Sequence, residues 1–186
     1  MTALATYIGT PLAALLPVLS NSLASGRHKK RVEKALFEIN QKLIVHETLI
    51  TNLSDAQYKI VNEAILTILQ TTEEEKIDYL KSAVENNIEE EQVSISHASQ
   101  ISRILRDISA EELKFLTKYG NYSRVIFNEE PMNDRELKVE TNSNEGIIVS
   151  GLISMGLMVP GAATFDDIGR YQFSPLVKML LTVIGT

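Results

Sequence analysis

The residues able to do chemistry are few, and their spacing limits what that chemistry could be. Glu73-Glu74-Glu75 and Glu89-Glu90-Glu91 are the densest carboxylate runs in the chain. Carboxylates hold a hard cation when their oxygens converge on one point. Consecutive residues on a helix point around it instead, and acids favour the positive end of a helix. Both runs therefore read as the acidic first turns of helices. His46 and His97 have no local partner, and the Glu-x-x-His spacing of a helical metal site is absent. Asp166-Asp167 falls where a hairpin turn is expected, a place that favours Asp on conformational grounds. With no cysteine, disulfides, thiolate zinc sites, iron–sulfur clusters and cysteine nucleophiles are excluded together. Gly-x-x-x-x-Gly-Lys, Gly-x-Ser-x-Gly and His-Glu-x-x-His do not occur in the sequence. The expectation is a protein that is not an enzyme, with no catalytic, cofactor-binding or metal-binding residues and no cofactor.

What remains is surface chemistry, and here the charge is unevenly placed. The chain has 186 residues and a formal net charge of −6, ordinary in overall composition for one globular domain, or one with an arm. Residues 1–26 carry no charged side chain. Arg27, Lys29, Lys30 and Arg31 follow at once, and residues 27–46 sum to +4. Residues 47–119 sum to −7, and the last forty residues to zero. A secretory signal would need its basic residues before the apolar run, not after it. A membrane span needs about twenty mostly apolar residues; Met1–Ala24 approaches that length but is diluted by Gly9, Pro11, Pro17 and Ser20-Asn21-Ser22. The other reading is a short buried helix with Pro11 in its first turn and Leu12, Leu15, Leu16 and Leu19 on its apolar face. In either case the four leucines are expected to be covered, by the bundle, a second subunit or lipid. The basic quartet is then placed to meet water, nucleic acid or lipid head groups.

The elements that would position these groups are mostly helices. Val32, Ala35, Leu36, Ile39, Leu43 and Ile50 make one apolar stripe over about 28–52. Ser54 caps a second helix running to Gln70. Thr72–Glu75 and Ser109–Glu112 have the form of capping boxes. Glu89–Glu91 is expected to open the helix that carries Val93 to Leu105, and Gly120 to stop the next one. Residues 120–145 read as an exposed connection, with Val125–Phe127 and Leu137–Val139 as marginal strands. A buried helix ending at Gly156, alternation around Tyr171 and Phe173, and a closing helix capped by Ser174-Pro175 complete the chain. The fold class is mainly α: an apolar segment 1–26, a helical bundle 27–119, a connecting loop 120–145 and a winged-helix-like unit 146–186.

The stretch EEEKIDYLKSAVENNI…ISRILRDISAEELKFLTKY, followed by IIVSGLISMGLMVPG…RYQFSPLVKMLLTVI, resembles the Abi-alpha (abortive-infection) helical domain family. The resemblance covers roughly residues 70–186. It is carried by the helix start Ser109-Ala110-Glu111-Glu112, the helix end Met155-Gly156-Leu157 and the closing-helix start Ser174-Pro175-Leu176. Where the family shows a glycine after the proline–leucine pair, this chain has Val177-Lys178. The resemblance implies a bacterial or prophage protein tied to phage defence, with no enzyme activity to carry over. The expected function is a non-enzymatic interaction module working through a protein partner or as a homo-oligomer. The alternatives are a membrane-acting effector anchored through residues 1–26, or a DNA-binding regulator. Nucleic acid is the least favoured partner: the helix Gly146–Met155 offers no Lys or Arg, and phosphate binding scales with cations. The expected location is the cytoplasm, at the inner membrane if the apolar segment meets lipid.

Overall fold

The computed structural model describes residues 26–90, 92–161 and 169–186, without the side chains at positions 27, 28, 47 and 48. It is mainly helical, with a small four-stranded sheet near the C-terminal end. Contacts divide the chain into two compact units: residues up to Arg106 together with Val183–Gly185, and Asp107–Thr182 together with Thr186. This division falls ahead of the boundaries at 119 and 145 that composition suggests.

The first unit holds α1 (Gly26–Val45), α2 (Glu47–Ile50), α3 (Asp55–Gln70), α4 (Glu74–Glu89) and α5 (Ile95–Asp107). The stripe Val32, Ala35, Leu36, Ile39 and Leu43 is buried along one side of α1. The single helix expected over 28–52 is broken at His46, after the β-branched pair Ile44-Val45, whose helix propensity is low. Ser54 opens α3 with a full capping box: its hydroxyl accepts from the Gln57 amide at 3.2 Å, and Gln57 Oε1 accepts from the Ser54 amide at 2.9 Å. Gln57 Nε2 also donates to the Asn87 carbonyl at 2.7 Å, tying the start of α3 to the end of α4. These two helices are therefore antiparallel neighbours, as their short link requires.

Two expected helix starts move. The cap of α4 is Glu73, not Thr72, and its side chain makes no capping bond. Starting one residue late puts Glu75 at N2, outside the reciprocal geometry a capping box requires. Glu89 and Glu90 do not open the next helix either. Glu89 is the last residue of α4, Glu90 is its C-cap, and α5 begins only at Ile95. Two acids thus sit at the negative end of a helix, where its dipole disfavours them.

The second unit begins at α6 (Ala110–Tyr119), whose capping box at Ser109 and Glu112 is present as expected. Gly120 ends α6 as expected, with a right-handed φ of −61°. A Cβ there would lie 2.5 Å from the Leu116 carbonyl oxygen, so close approach is what the glycine permits. Residues 120–145 are more than a connection. They carry β1 (Arg124–Phe127) and β2 (Glu136–Val139), paired in parallel. After α7 (Asn144–Ser154) come β3 (Met158–Pro160), β4 (Arg170–Phe173) and α8 (Pro175–Ile184). The helix, two-strand, helix order expected of a winged-helix-like unit is there, but β4 also pairs with β1, giving the order β2-β1-β4-β3. Val125 and Ile126 are fully buried, so four-residue strands persist because a sheet and a core hold them.

Gly146, Gly151 and Gly156, five residues apart in and around α7, answer separate local demands. Gly146 lets the backbone approach the carbonyls of Glu140 and Thr141. Gly156 has φ +72° and closes α7: its amide donates to the Ile153 carbonyl and the Leu157 amide to the Leu152 carbonyl. That is a Schellman end, with Leu152 and Leu157 buried beside it. Ile147, expected inside, is 70% exposed, so α7 buries one side only. Ser174 precedes α8 as expected, yet its buried hydroxyl has no hydrogen-bond partner. Pro175 has no amide to offer, and the Val177 amide donates to the Ser174 carbonyl oxygen instead.

Gly151 makes room for the Glu112 carboxylate, whose other oxygen accepts from the Ser109 amide at 2.7 Å. A methyl group at 151 would gain about 1 kcal/mol of helix propensity. It would also displace the carboxylate from its cap, worth about 0.5–2 kcal/mol. Gly151→Ala is thus expected to be neutral or destabilising in the natural chain, but stabilising by about 1 kcal/mol in a Glu112→Ala background. Urea denaturation of the four proteins of this double-mutant cycle checks the sign change.

Candidate interaction surface

α1 is held against α4 by three ion pairs and a histidine–carboxylate contact in one register. Arg31 meets Glu74 at 3.0 Å, Glu38 meets Lys81 at 2.5 Å, Lys42 meets Glu85 at 3.6 Å, and His46 Nε2 lies 3.7 Å from Glu89. The residue numbers in each pair differ by 43, and both members rise together. The two helices therefore run parallel, with the row along one flank of their contact. Glu38 and Lys81 sit at its centre, in a small groove of about 110 Å³ that Arg31, Lys34, Glu74 and Asp78 also line.

The hydrogen bond from Lys81 holds the Glu38 carboxyl below its ordinary pKa, against a smaller opposing effect of burial. For Lys81, partial burial alone would lower the pKa. The hydrogen bond and charge of Glu38, with help from Asp78, outweigh it and leave the ammonium raised. The signs are complementary. A depressed carboxyl stabilises the fold above its unfolded pKa and loses that contribution as pH falls through the folded value. A raised lysine stabilises below its unfolded pKa and loses that contribution as pH rises through the folded value.

The other side of α1 is unlike the inner one. Lys30, Lys34, Phe37, Gln41 and Ile44 recur at steps of four and three and are all exposed. At ~100° per residue they lie close to the opposite side of the helix from the buried stripe. Phe37 and Ile44 are each 54% exposed, and Val45 beside them is 77% exposed. Leu49 on α2 continues the apolar character. A fully buried side chain of this size is worth roughly 1.5–3 kcal/mol, and that gain is here unused. Sequence reading misses this second stripe because the fully apolar inner one accounts for the helix by itself. The four-three spacing of residues 30–44 was nevertheless there to be read.

The residues expected at sites divide as follows. Leu12, Leu15, Leu16 and Leu19 lie outside the described residues. Arg27, Lys29, Lys30 and Arg31 are in the first turns of α1, the side chain of Arg27 lying outside the described ones. Arg31 is engaged with Glu74, and Lys29 lies 3.9 Å from Glu33. Lys30 points out and makes no ion pair among the described residues. The acid runs are not brought together with the histidines as a cluster: among the described residues no three His, Asp or Glu side chains could hold a metal. His97 Nδ1 is within hydrogen-bond range of the Ser94 and Ser96 hydroxyls. Arg170 on β4 meets Glu129 at 3.1 Å. Asp166 and Asp167 lie outside the described residues.

The second unit has a cleft of about 660 Å³ between the Gly120–Ser123 turn and the start of α8. Gln172, Lys178 and Thr182 line it, with Lys178 the charged side chain among the described lining residues. A lone ammonium among neutral amides and hydroxyls supplies neither a general base nor a paired acid. Among the described residues no helix is long and apolar enough to cross a membrane.

Glu38→Gln is expected to cost about 0.5–1 kcal/mol at neutral pH, the range of a partly exposed pair. The difference from the natural chain should close as pH falls below the ordinary carboxylate range, where Glu38 itself becomes neutral. Thermal unfolding of the two proteins across acid pH measures this; a constant difference would mean that the ion pair is not the cause.

Compared with protein-family models, with curated proteins and with solved structures, the chain matches none of them.

Proposed function

We propose that this protein is a non-enzymatic interaction module that acts through a protein partner or by self-assembly. The resemblance to the Abi-alpha family sets it in bacterial phage defence. The observation that carries the reading is the outer face of α1, where Phe37, Ile44 and Val45 stand in water at regular spacing beside Lys30 and Lys34. An apolar row of this kind, flanked by polar residues, marks a surface that gains by being covered. A cytoplasmic location belongs to the same reading.

A membrane-acting effector is the second reading, supported by the uncharged residues 1–26 followed at once by a basic run that includes the exposed Lys30. DNA binding has less support, since Arg31 and Arg170 are each engaged with a carboxylate. Cells carrying the gene are expected to resist a phage that kills cells without it. Phe37→Asp with Ile44→Asp should abolish that resistance while leaving circular dichroism unchanged and stability within about 0.5 kcal/mol, as for exposed positions. Full resistance in the double variant would remove the outer face of α1 from the function. Sedimentation of the natural chain with membranes, lost on deleting residues 1–26, would favour the effector instead.

A further inference from the structure

The cleft of about 660 Å³ lies wholly within the second unit. Ser174 and Pro175 stand where α8 starts and Lys178 one turn further on, and all three line the cleft. Ser174 is only 7% exposed, and its buried hydroxyl has no hydrogen-bond partner in the protein. A hydroxyl buried without a partner is costly to the fold. It does not cap its own helix, because the Val177 amide donates to the Ser174 carbonyl oxygen instead. The wall of the cleft thus holds a donor for which the fold supplies no acceptor.

The charge around that hydroxyl has one sign. The first turn of a helix carries amides without intrahelical acceptors and the positive end of the dipole. α8 has no acid in its first turn to balance that end. It has Lys178 instead, exposed and without an ion pair among the described residues. A cation there adds to the positive pole rather than offsetting it. No acidic side chain is among the described residues that line the cleft. A terminal carboxylate on Thr186, at the far end, lies about 15 Å along α8 from Leu176, well beyond the screening length of ~8 Å at physiological salt.

We propose that this cleft binds a small molecule through a phosphate group seated at the start of α8, between Ser174 and Lys178. The proposal goes beyond the module reading and does not depend on the face of α1. Phosphate presents several acceptor oxygens and a negative charge. The Ser174 hydroxyl, the Lys178 ammonium and the first-turn amides of α8 are the donors that meet them. The cleft is far larger than a phosphate ion and falls in the range that holds a whole small molecule. Asn121, Ser123, Gln172 and Thr182 give it amides and hydroxyls, and Phe173 and Leu181 an apolar wall. The ligand class is therefore a phosphate monoester on a hydroxylated body of sugar or nucleotide size. The proposal is of binding, not of turnover.

Proton–nitrogen correlation spectra of the full chain test this, with inorganic phosphate and ribose 5-phosphate titrated at constant ionic strength. The amides of Leu176, Val177 and Lys178 are expected to shift saturably with both, and ribose 5-phosphate to bind more tightly than phosphate. Acetate and ribose at the same concentrations should leave these amides in place. Lys178→Gln and Ser174→Ala should each weaken ribose 5-phosphate by roughly tenfold, the loss of a hydrogen bond to a charged group. Ser174→Ala should also unfold in urea no earlier than the natural chain, since it removes an unpaired hydroxyl. A hydroxyl that merely capped α8 would cost stability when removed. Amides that stay still with both phosphates, that move equally with acetate, or that respond in both variants as in the natural chain overturn the proposal. So does ribose 5-phosphate bound no better than phosphate, or a Ser174→Ala chain that is less stable.

Discussion

The fixed register of α1 on α4 is the constraint from which the candidate surface follows. Four pairs separated by the same 43 residues hold one flank of α1, and the buried stripe from Val32 to Leu43 holds its inner side. Surface ion pairs contribute little singly, about 0–1 kcal/mol each, so burial supplies most of the stability. What the row adds is choice. An apolar stripe tolerates sliding and rotation, whereas Glu38 and Lys81 bind in one register. Rotating α1 to bury Phe37 would break the Glu38–Lys81 bond and expose Ile39, which is fully buried. The outward position of Phe37, Ile44 and Val45 is thus enforced by the same contacts that stabilise the unit.

The acids at the end of α4 belong to the same arrangement. Glu89 and Glu90 are unfavourably placed with respect to their own helix, and His46 Nε2 lies 3.7 Å from Glu89. Because α1 and α4 run parallel, that cost is located beside the C-terminal end of the exposed face. Lys30 and Lys34 lie at the other end.

Most of the helical part was legible because its signals are local. Ser54, Ser109 and the buried stripes depend on residues three or four apart, and the structure places them as expected. The misreadings have physical causes of two kinds. Some are boundary effects: Thr72 and Glu75 have the right types for a capping box, but the helix starts one residue later. The run at Glu89 fits the start of a helix electrostatically, and tertiary packing extends α4 into it anyway. The others are non-local. β1 and β2 look marginal as four-residue segments, and only pairing with β4, more than forty residues on, makes them part of a sheet. The outer stripe of α1 was visible as a spacing, but whether it is covered depends on α3 and α4. Chemistry at single residues was readable chiefly as what the sequence lacks.

The absence of cysteine allows one direct measurement of the central proposal, that the outer face of α1 is a surface at which the chain associates. A single thiol can be introduced at Gln41→Cys in the middle of the face, and another at Gln100→Cys on the exposed side of α5 as a control. Thiol-labelling rates are then followed as protein concentration rises. Labelling at position 41 should slow progressively with concentration while labelling at position 100 stays constant. Equal and concentration-independent rates at the two positions would contradict the account.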